Sequence, residues 1–254
     1  MSKRFFALAA LAAASLSAQA QVQLTAASLN YSQNFDTLAS SGTNSSLPAG
    51  WAFLEAGSNA NTTYAAGTGS DTAGNTYSFG KAGSTERALG GLRSGSLVPQ
   101  FGVSFVNLAG RAIESVSIGY IGEQWRLGGT GRTDRLSFQY STDATTLNSG
   151  TWTNLSALDF IAPKNSTPTG ALDGNAAANR SALSGSIAGL NLAQGGSLWL
   201  RWSDVDVSGS DDGLAIDDFS FNATLAPVPE PSTYALLLAG LCAVGLMSRR
   251  RLGR

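Results

Sequence analysis

The densest run of oxygen donors in the chain is Asp204-Val-Asp206-Val-Ser208-Gly-Ser-Asp211-Asp212-Gly-Leu-Ala-Ile-Asp217-Asp218. A hard cation such as Ca2+ takes roughly six to eight oxygen ligands, and carboxylates on a tight turn can supply them. Asp204, Asp206, Ser208 and Asp212 fall at positions 1, 3, 5 and 9 of a calcium-loop pattern, with Gly209 at position 6. Position 12 is Ala215 where the pattern wants a bidentate Glu, and no helical pattern flanks the turn. The same residues suit a β-turn whose Asp and Ser side chains accept from turn amides. Both readings stand on sequence.

A second cluster is Gly122-Glu123-Gln124-Trp125-Arg126. A sugar could stack on the Trp125 ring while Glu123 and Arg126 bond its hydroxyls. Alternatively Glu123 pairs with Arg126, Arg135 or Arg201 inside the fold. Catalysis has few candidates. There is no His in the chain, so imidazole bases, His triads and His–metal sites are excluded. The one cysteine, Cys242, lies near the C-terminus. A carboxylate pair for glycoside cleavage could be made from Glu123 with Asp134 or Asp204.

Strands must position these groups. Val116, Ile118 and Tyr120 alternate with Ser115, Ser117 and Gly119; Leu136, Phe138 and Tyr140 with Ser137, Gln139 and Ser141; Leu198, Leu200 and Trp202 with Trp199, Arg201 and Ser203. Phe101, Val103 and Phe105 form a fourth set. Period-two patterns of this kind place one face of an antiparallel strand in a core. Leu214 and Ile216 are out of phase with Phe219 and Phe221, which predicts a β-bulge at Asp217-Asp218 with one Asp turned partly inward. Shorter strands are expected at Asn34–Asp36, Gly50–Phe53, Tyr77–Phe79 and Arg87–Leu89, with long polar loops at Asn59–Asn75 and Pro163–Arg180. The fold expected is all-β, a two-sheet antiparallel sandwich of jelly-roll type. A β-solenoid is the other candidate, and the lack of a fixed repeat weighs against it.

The two ends read differently. Lys3 and Arg4, then an apolar stretch from Phe5 to Leu16, then Ala18-Gln19-Ala20 make an N-terminal signal helix with a cleavage site after Ala20. At the other end Pro229-Glu230-Pro231 precedes an uncharged run, Tyr234–Met247, and then Arg249, Arg250 and Arg251. As a helix that run is about 21 Å long, against about 30 Å of bilayer core. It is a short transmembrane helix, with arginines that snorkel and stay cytoplasmic. The domains expected are 1–20 signal peptide, 21–225 exported sandwich and 226–254 tail.

This tail resembles the PEP-CTERM sorting signal of Gram-negative bacteria, on Pro229, Glu230, Pro231, the apolar helix and Arg249–Arg251. The resemblance implies recognition by a membrane-embedded exosortase, cleavage near the Pro-Glu-Pro, and delivery to the surface or an exopolysaccharide matrix. From Phe35 to Phe221 the chain also resembles an exported β-sandwich domain found in such proteins and beside some secreted nuclease-like domains. The shared phrases are Asn34-Phe35-Asp36, Leu47–Trp51, Arg87–Gly90, Gly122–Arg126, Asp134–Ser141, Leu172–Asn175, Trp199–Asp206 and Ile216–Phe219. That resemblance implies a jelly-roll-like fold and no catalytic set.

The chain has 16 basic and 17 acidic residues. Lys3, Arg4, Arg249, Arg250, Arg251 and Arg254 lie in the two end segments, as does Glu230, so 10 basic and 16 acidic residues remain between them. A net charge of about −6 on the body disfavours nucleic acid and anionic membrane as partners. The expectation is an exported, non-enzymatic surface or exopolysaccharide-matrix protein with a structural, adhesive or carbohydrate-binding role. Its processing partners would be the secretion translocon and an exosortase, and Ca2+ is its candidate cofactor. The alternatives are a polysaccharide-cleaving enzyme using the carboxylates above, or a membrane-retained protein whose tail is never cut.

Overall fold

The computed structural model describes residues 20–166, 168–228, 237 and 239–242. The first strands are β1 (Val22–Thr25), β2 (Asn30–Gln33), β3 (Thr43–Asn44), β4 (Trp51–Ala56), β5 (Tyr64–Gly67), β6 (Asn75–Phe79) and β7 (Ala88–Leu92). Then come β8 (Val98–Leu108), β9 (Ile113–Leu127), β10 (Arg135–Ser141), β11 (Thr153–Asn154) and β12 (Phe160–Ile161). The last are β13 (Gly170–Ala171), β14 (Arg180–Ile187), β15 (Ser197–Asp204) and β16 (Gly213–Leu225). Two single-turn 3-10 helices, Ser156–Leu158 and Ala177–Asn179, interrupt them.

These strands form two sheets, so the all-β sandwich expected from the alternation is what the chain builds. The first sheet runs β1-β8-β15-β10-β11, with β4 also on β8 and β12 on β10. The second runs β13-β9-β16-β7-β6-β5-β3, with β14 also on β9 and β2 on β16. Among the described strands pairing is antiparallel, except for β1 on β8 and β5 on β6, which are parallel.

The core lies between the sheets. Phe101, Val103, Phe105, Leu136, Phe138, Leu198, Leu200 and Trp202 enter it from the first sheet, and Val116, Ile118, Tyr120, Leu214, Ile216, Phe219 and Phe221 from the second. Trp202 sits at its centre. The rings of Phe138, Tyr120, Trp51 and Phe219 lie 5.1, 5.4, 5.8 and 5.9 Å from it, centroid to centroid. Each such ring contributes roughly 1.5–3 kcal/mol by leaving water. The domain holds no disulfide, so this packing carries its stability.

The long strands came out where alternation put them, and four local expectations did not, one being the 163–180 loop, which holds β13 paired with β9 and one 3-10 turn. Asn34–Asp36 is a turn, in which Phe35 takes φ 56° and buries its ring edge-on to Trp51. The left-handed backbone follows from the Asn34–Asp36 side-chain bond and from Gln33 Oε1 accepting from the Phe35 amide. The stretch 59–75 is not all loop: β5 lies inside it and pairs with β6, because Tyr64 finds a buried slot beside Phe53. Trp199, expected on the solvent face, is covered by Leu147 and Ala144 of the 142–152 loop. The predicted bulge is present as a register shift in β16 against β9 between Asp217 and Ser220, with Asp218 at φ 47°.

Ala226 closes the sandwich. Its N–H donates to Ala112 O at 2.8 Å, and Arg111 donates to its carbonyl. The expected signal helix and most of the expected transmembrane helix lie outside the described residues; residues 237 and 239–242 are helical. Among the described residues no helix is long and apolar enough to cross a membrane.

Candidate functional site

β9 and β16 run side by side through the second sheet, and what they carry on the outer face differs along their length. Near one end, Glu123 and Trp125 of β9 share that face. Trp125 stacks on Phe79 at 6.0 Å, and Phe79 on Tyr77 at 5.1 Å. A loop closes over the rings: Leu172 donates to Trp125 O at 2.8 Å, and Gly174 lies flat on the indole. A Cβ on Gly174 would come within 2.3 Å of Trp125 Nε1, so only glycine fits.

Glu123 is fully buried here. Its Oε2 accepts from Trp125 Nε1 at 2.9 Å, and its Oε1 has no hydrogen-bond partner. Asp217, at the bulge in β16, is 6% exposed, and its Oδ1 is also unpartnered. Glu86, from the loop before β7, accepts from Asn175 through Oε2 and leaves Oε1 buried and unpartnered. One carboxylate oxygen from each of the three lies within 4.8 Å of the others. Burial pushes Glu123 up to about 7, against some help from the Trp125 hydrogen bond. Burial likewise pushes Asp217 up to about 8, and the Glu123 and Asp218 charges add to it.

The sugar-holding expectation for Glu123, Trp125 and Arg126 is therefore corrected in its geometry. The ring and the carboxylate are inside, under the 172–175 loop, and Arg126 donates to Gly69 O at 3.1 Å. Glu123 forms no ion pair with Arg126, Arg135 or Arg201; its hydrogen-bond partner is Trp125. Sequence reasoning missed Glu86 altogether, since nothing in its spacing marks it. Asp217 was marked by the phase break in β16.

The turn after β15 holds a different network. Asp204 and Asp212 are buried, whereas Asp206 and Ser208 are at the surface. Arg132 meets Asp134 at 2.8 Å and Asp212 at 3.5 Å. Asp134 Oδ2 also accepts from the Asp212 amide at 2.6 Å. Asp212 further accepts from Gly128 N and Gln124 Nε2, both at 2.7 Å. Arg93 reaches Asp206 at 3.2 Å and donates its amide to Asp204 Oδ2 at 3.2 Å. Burial, with the neighbouring Asp134 charge, holds Asp204 well above the usual carboxylate range. Asp204 and Asp212 thus gather near Asp134, while Asp206 and Ser208 are exposed, Asp206 being joined to Asp204 through Arg93. Glu123, Asp134 and Asp204 are all buried, and none lines either open groove.

Further along β9 and β16 the outer face is open. Asn30, Asn222, Ser117 and Ser186 stand opposite one another across β2, β16, β9 and β14, and Ser32, Ser220, Gly119 and Ser184 form the next row. All but Ser186 line a groove of about 540 Å3. A second hollow continues from Ser32 and Ser220 toward Asn34 and Asp218. Four strands at ~4.8 Å spacing make this floor about 14 Å wide. Its exposed side chains are hydroxyls and amides.

Where the sandwich ends, a known pattern begins. Residues 227–251 match the family model described as the PEP-CTERM protein-sorting motif. The chain carries a PEP-CTERM sorting motif. The motif starts one residue beyond Ala226, where the last fixed contacts of the sandwich lie, and it implies export and exosortase processing. No curated protein matches the chain. Among solved structures it is similar to the CBM22-1 xylan-binding domain of Paenibacillus barcinonensis Xyn10C, at 13% identity over 78% of this chain and 95% of that one, with TM-score 0.37. It is also similar to the K3 cleaved adhesin domain of Lys-gingipain from Porphyromonas gingivalis, at 12% identity over 69% and 93%, with TM-score 0.40.

Proposed function

We propose that this chain is an exosortase-sorted protein of the cell surface or exopolysaccharide matrix, and that its sandwich acts by binding polysaccharide. The observation that carries the sorting is the placement of the motif. It begins at residue 227, after Ala226 is tied to Arg111 and Ala112, so a cut near Pro229-Glu230-Pro231 leaves every described strand intact. The Gln21 side chain bonds Ser197 at 3.0 Å and β1 starts at Val22, which supports a signal-peptide boundary at Ala20. The secretion translocon and then the exosortase are the processing partners.

Polysaccharide binding is supported by the groove. Two rows of uncharged donors and acceptors on a rigid four-strand floor suit a chain of hydroxyl groups, which offers many weak, directional contacts. The buried positions of Glu123, Asp134 and Asp204 give the carboxylate-enzyme alternative no support. The test is a glycan array probed with the mature protein, with and without Ca2+, beside Ser184→Arg. Retention of a glycan that Ser184→Arg loses bears the reading out. Absence of binding in both conditions leaves a structural role only.

A further inference from the structure

We propose a Ca2+ site formed by Glu86, Glu123 and Asp217 on the outer face of the second sheet, independent of what the groove binds. Three observations converge. One carboxylate oxygen from each residue lies within 4.8 Å of the other two. A Ca2+–oxygen bond is about 2.4 Å, so oxygens on opposite sides of one ion stand at most about 4.8 Å apart. The spacing is that of a shared ion.

Each residue also keeps a buried oxygen with no hydrogen-bond partner: Glu86 Oε1, Glu123 Oε1 and Asp217 Oδ1. Glu123 is fully buried and Asp217 nearly so. Such groups cost free energy unless something satisfies them. Meanwhile their other oxygens are held: Trp125 donates to Glu123 Oε2 and Asn175 to Glu86 Oε2. That support fixes the orientation of the carboxylates, as outer-shell donors do around metals.

Charge decides the class of ligand. Three carboxylates sit together and no cation pairs with them among the described ion pairs; Lys81, nearby in the same loop, is paired with Asp173 at 2.9 Å. All donors are oxygen, without His or thiolate, which selects a hard ion. Ca2+ accepts an irregular oxygen set, whereas Mg2+ demands a near-ideal octahedron. The ion would tie the loop before β7 to β9 and to the bulge in β16, adding to the backbone pairing that already joins β16 to β9 and to β7. It would also sit at a different place from the Asp204–Asp212 turn.

The test is calorimetric titration of CaCl2 into chelator-stripped protein as recovered from cells. The expected result is one site per chain, and a melting temperature about 5–10 °C higher at a hundredfold excess over Kd. Glu123→Gln and Asp217→Asn should each weaken binding at least tenfold, and Asp204→Asn should leave it unchanged. Tb3+ titrated into the unmodified protein should emit on indole excitation, because Trp125 touches the site; excess Ca2+ should quench it. Absence of heat, of a melting shift and of Tb3+ emission overturns the proposal. So does binding that survives Glu123→Gln and Asp217→Asn but is lost in Asp204→Asn.

Discussion

Phe105 of the first sheet and Phe221 of the second lie ring on ring, with centroids 4.0 Å apart and planes 13° from parallel. The contact crosses the sandwich and joins β8 to β16, the strand that also floors the groove and carries Asp217. Phe221→Ala should cost about 3–5 kcal/mol, the cost of an aromatic deleted from a close-packed core. Urea unfolding should show a lower midpoint with an unchanged slope. A loss under 1 kcal/mol would mean that the sheets do not meet there.

Arg132 is the cation of the buried network at the turn after β15, facing Asp134 and Asp212. Its removal leaves two buried carboxylates without their counter-charge. Arg132→Ala should destabilise by about 3–5 kcal/mol. Adding Asp134→Asn should recover part of that loss in a double-mutant cycle.

Asp211 faces the Asp134 and Asp206 charges, with Arg132 and the Val207 amide opposing them. Burial, ahead of the Asp134 charge, pushes it up to about 6. Its folded pKa lies above the unfolded value, so ionisation disfavours the folded state. That penalty is absent below pH ~4, grows as pH rises, and is complete above pH ~6. The stability of Asp211→Asn relative to the wild-type chain should therefore rise between pH 4 and 6 and then level off. Thermal melts of both across that range check it; a flat difference would contradict the burial of this group.

Ser184 lies on the exposed edge of the groove, opposite Gly119. Ser184→Arg should change stability by no more than about 0.5 kcal/mol, as exposed substitutions do, while abolishing glycan retention on an affinity gel. Retention equal to wild type would move the ligand elsewhere.

The parts legible in the sequence were those set by period. Leu198, Leu200 and Trp202 alternate, so their strand and its buried face follow from pattern alone. The bulge at Asp217 was legible for the same reason, as a break in the period. Burial on the outer face was not. Trp125 and Trp199 fall on faces that alternation assigns to solvent, and both are covered by loops whose course no local rule gives. For that reason sequence left the Gly122–Arg126 phrase open between a sugar platform and a pairing inside the fold. The partnership of Glu86 with Glu123 and Asp217 was illegible too, because it depends on the loop before β7 reaching two strands, β9 and β16, whose register only the folded chain sets. Conversely, the motif at residues 227–251 rests on order and composition, and sequence was enough for it.

The central claim is that the tail directs this chain outward and is then removed. The direct measurement is the intact mass of the protein recovered from the surface fraction of a Gram-negative host that carries an exosortase. The account predicts a mass that begins at Gln21 and ends near Pro229-Glu230-Pro231, without the arginine cluster. A full-length mass, with both end segments attached and the protein in the cytosol, would contradict it.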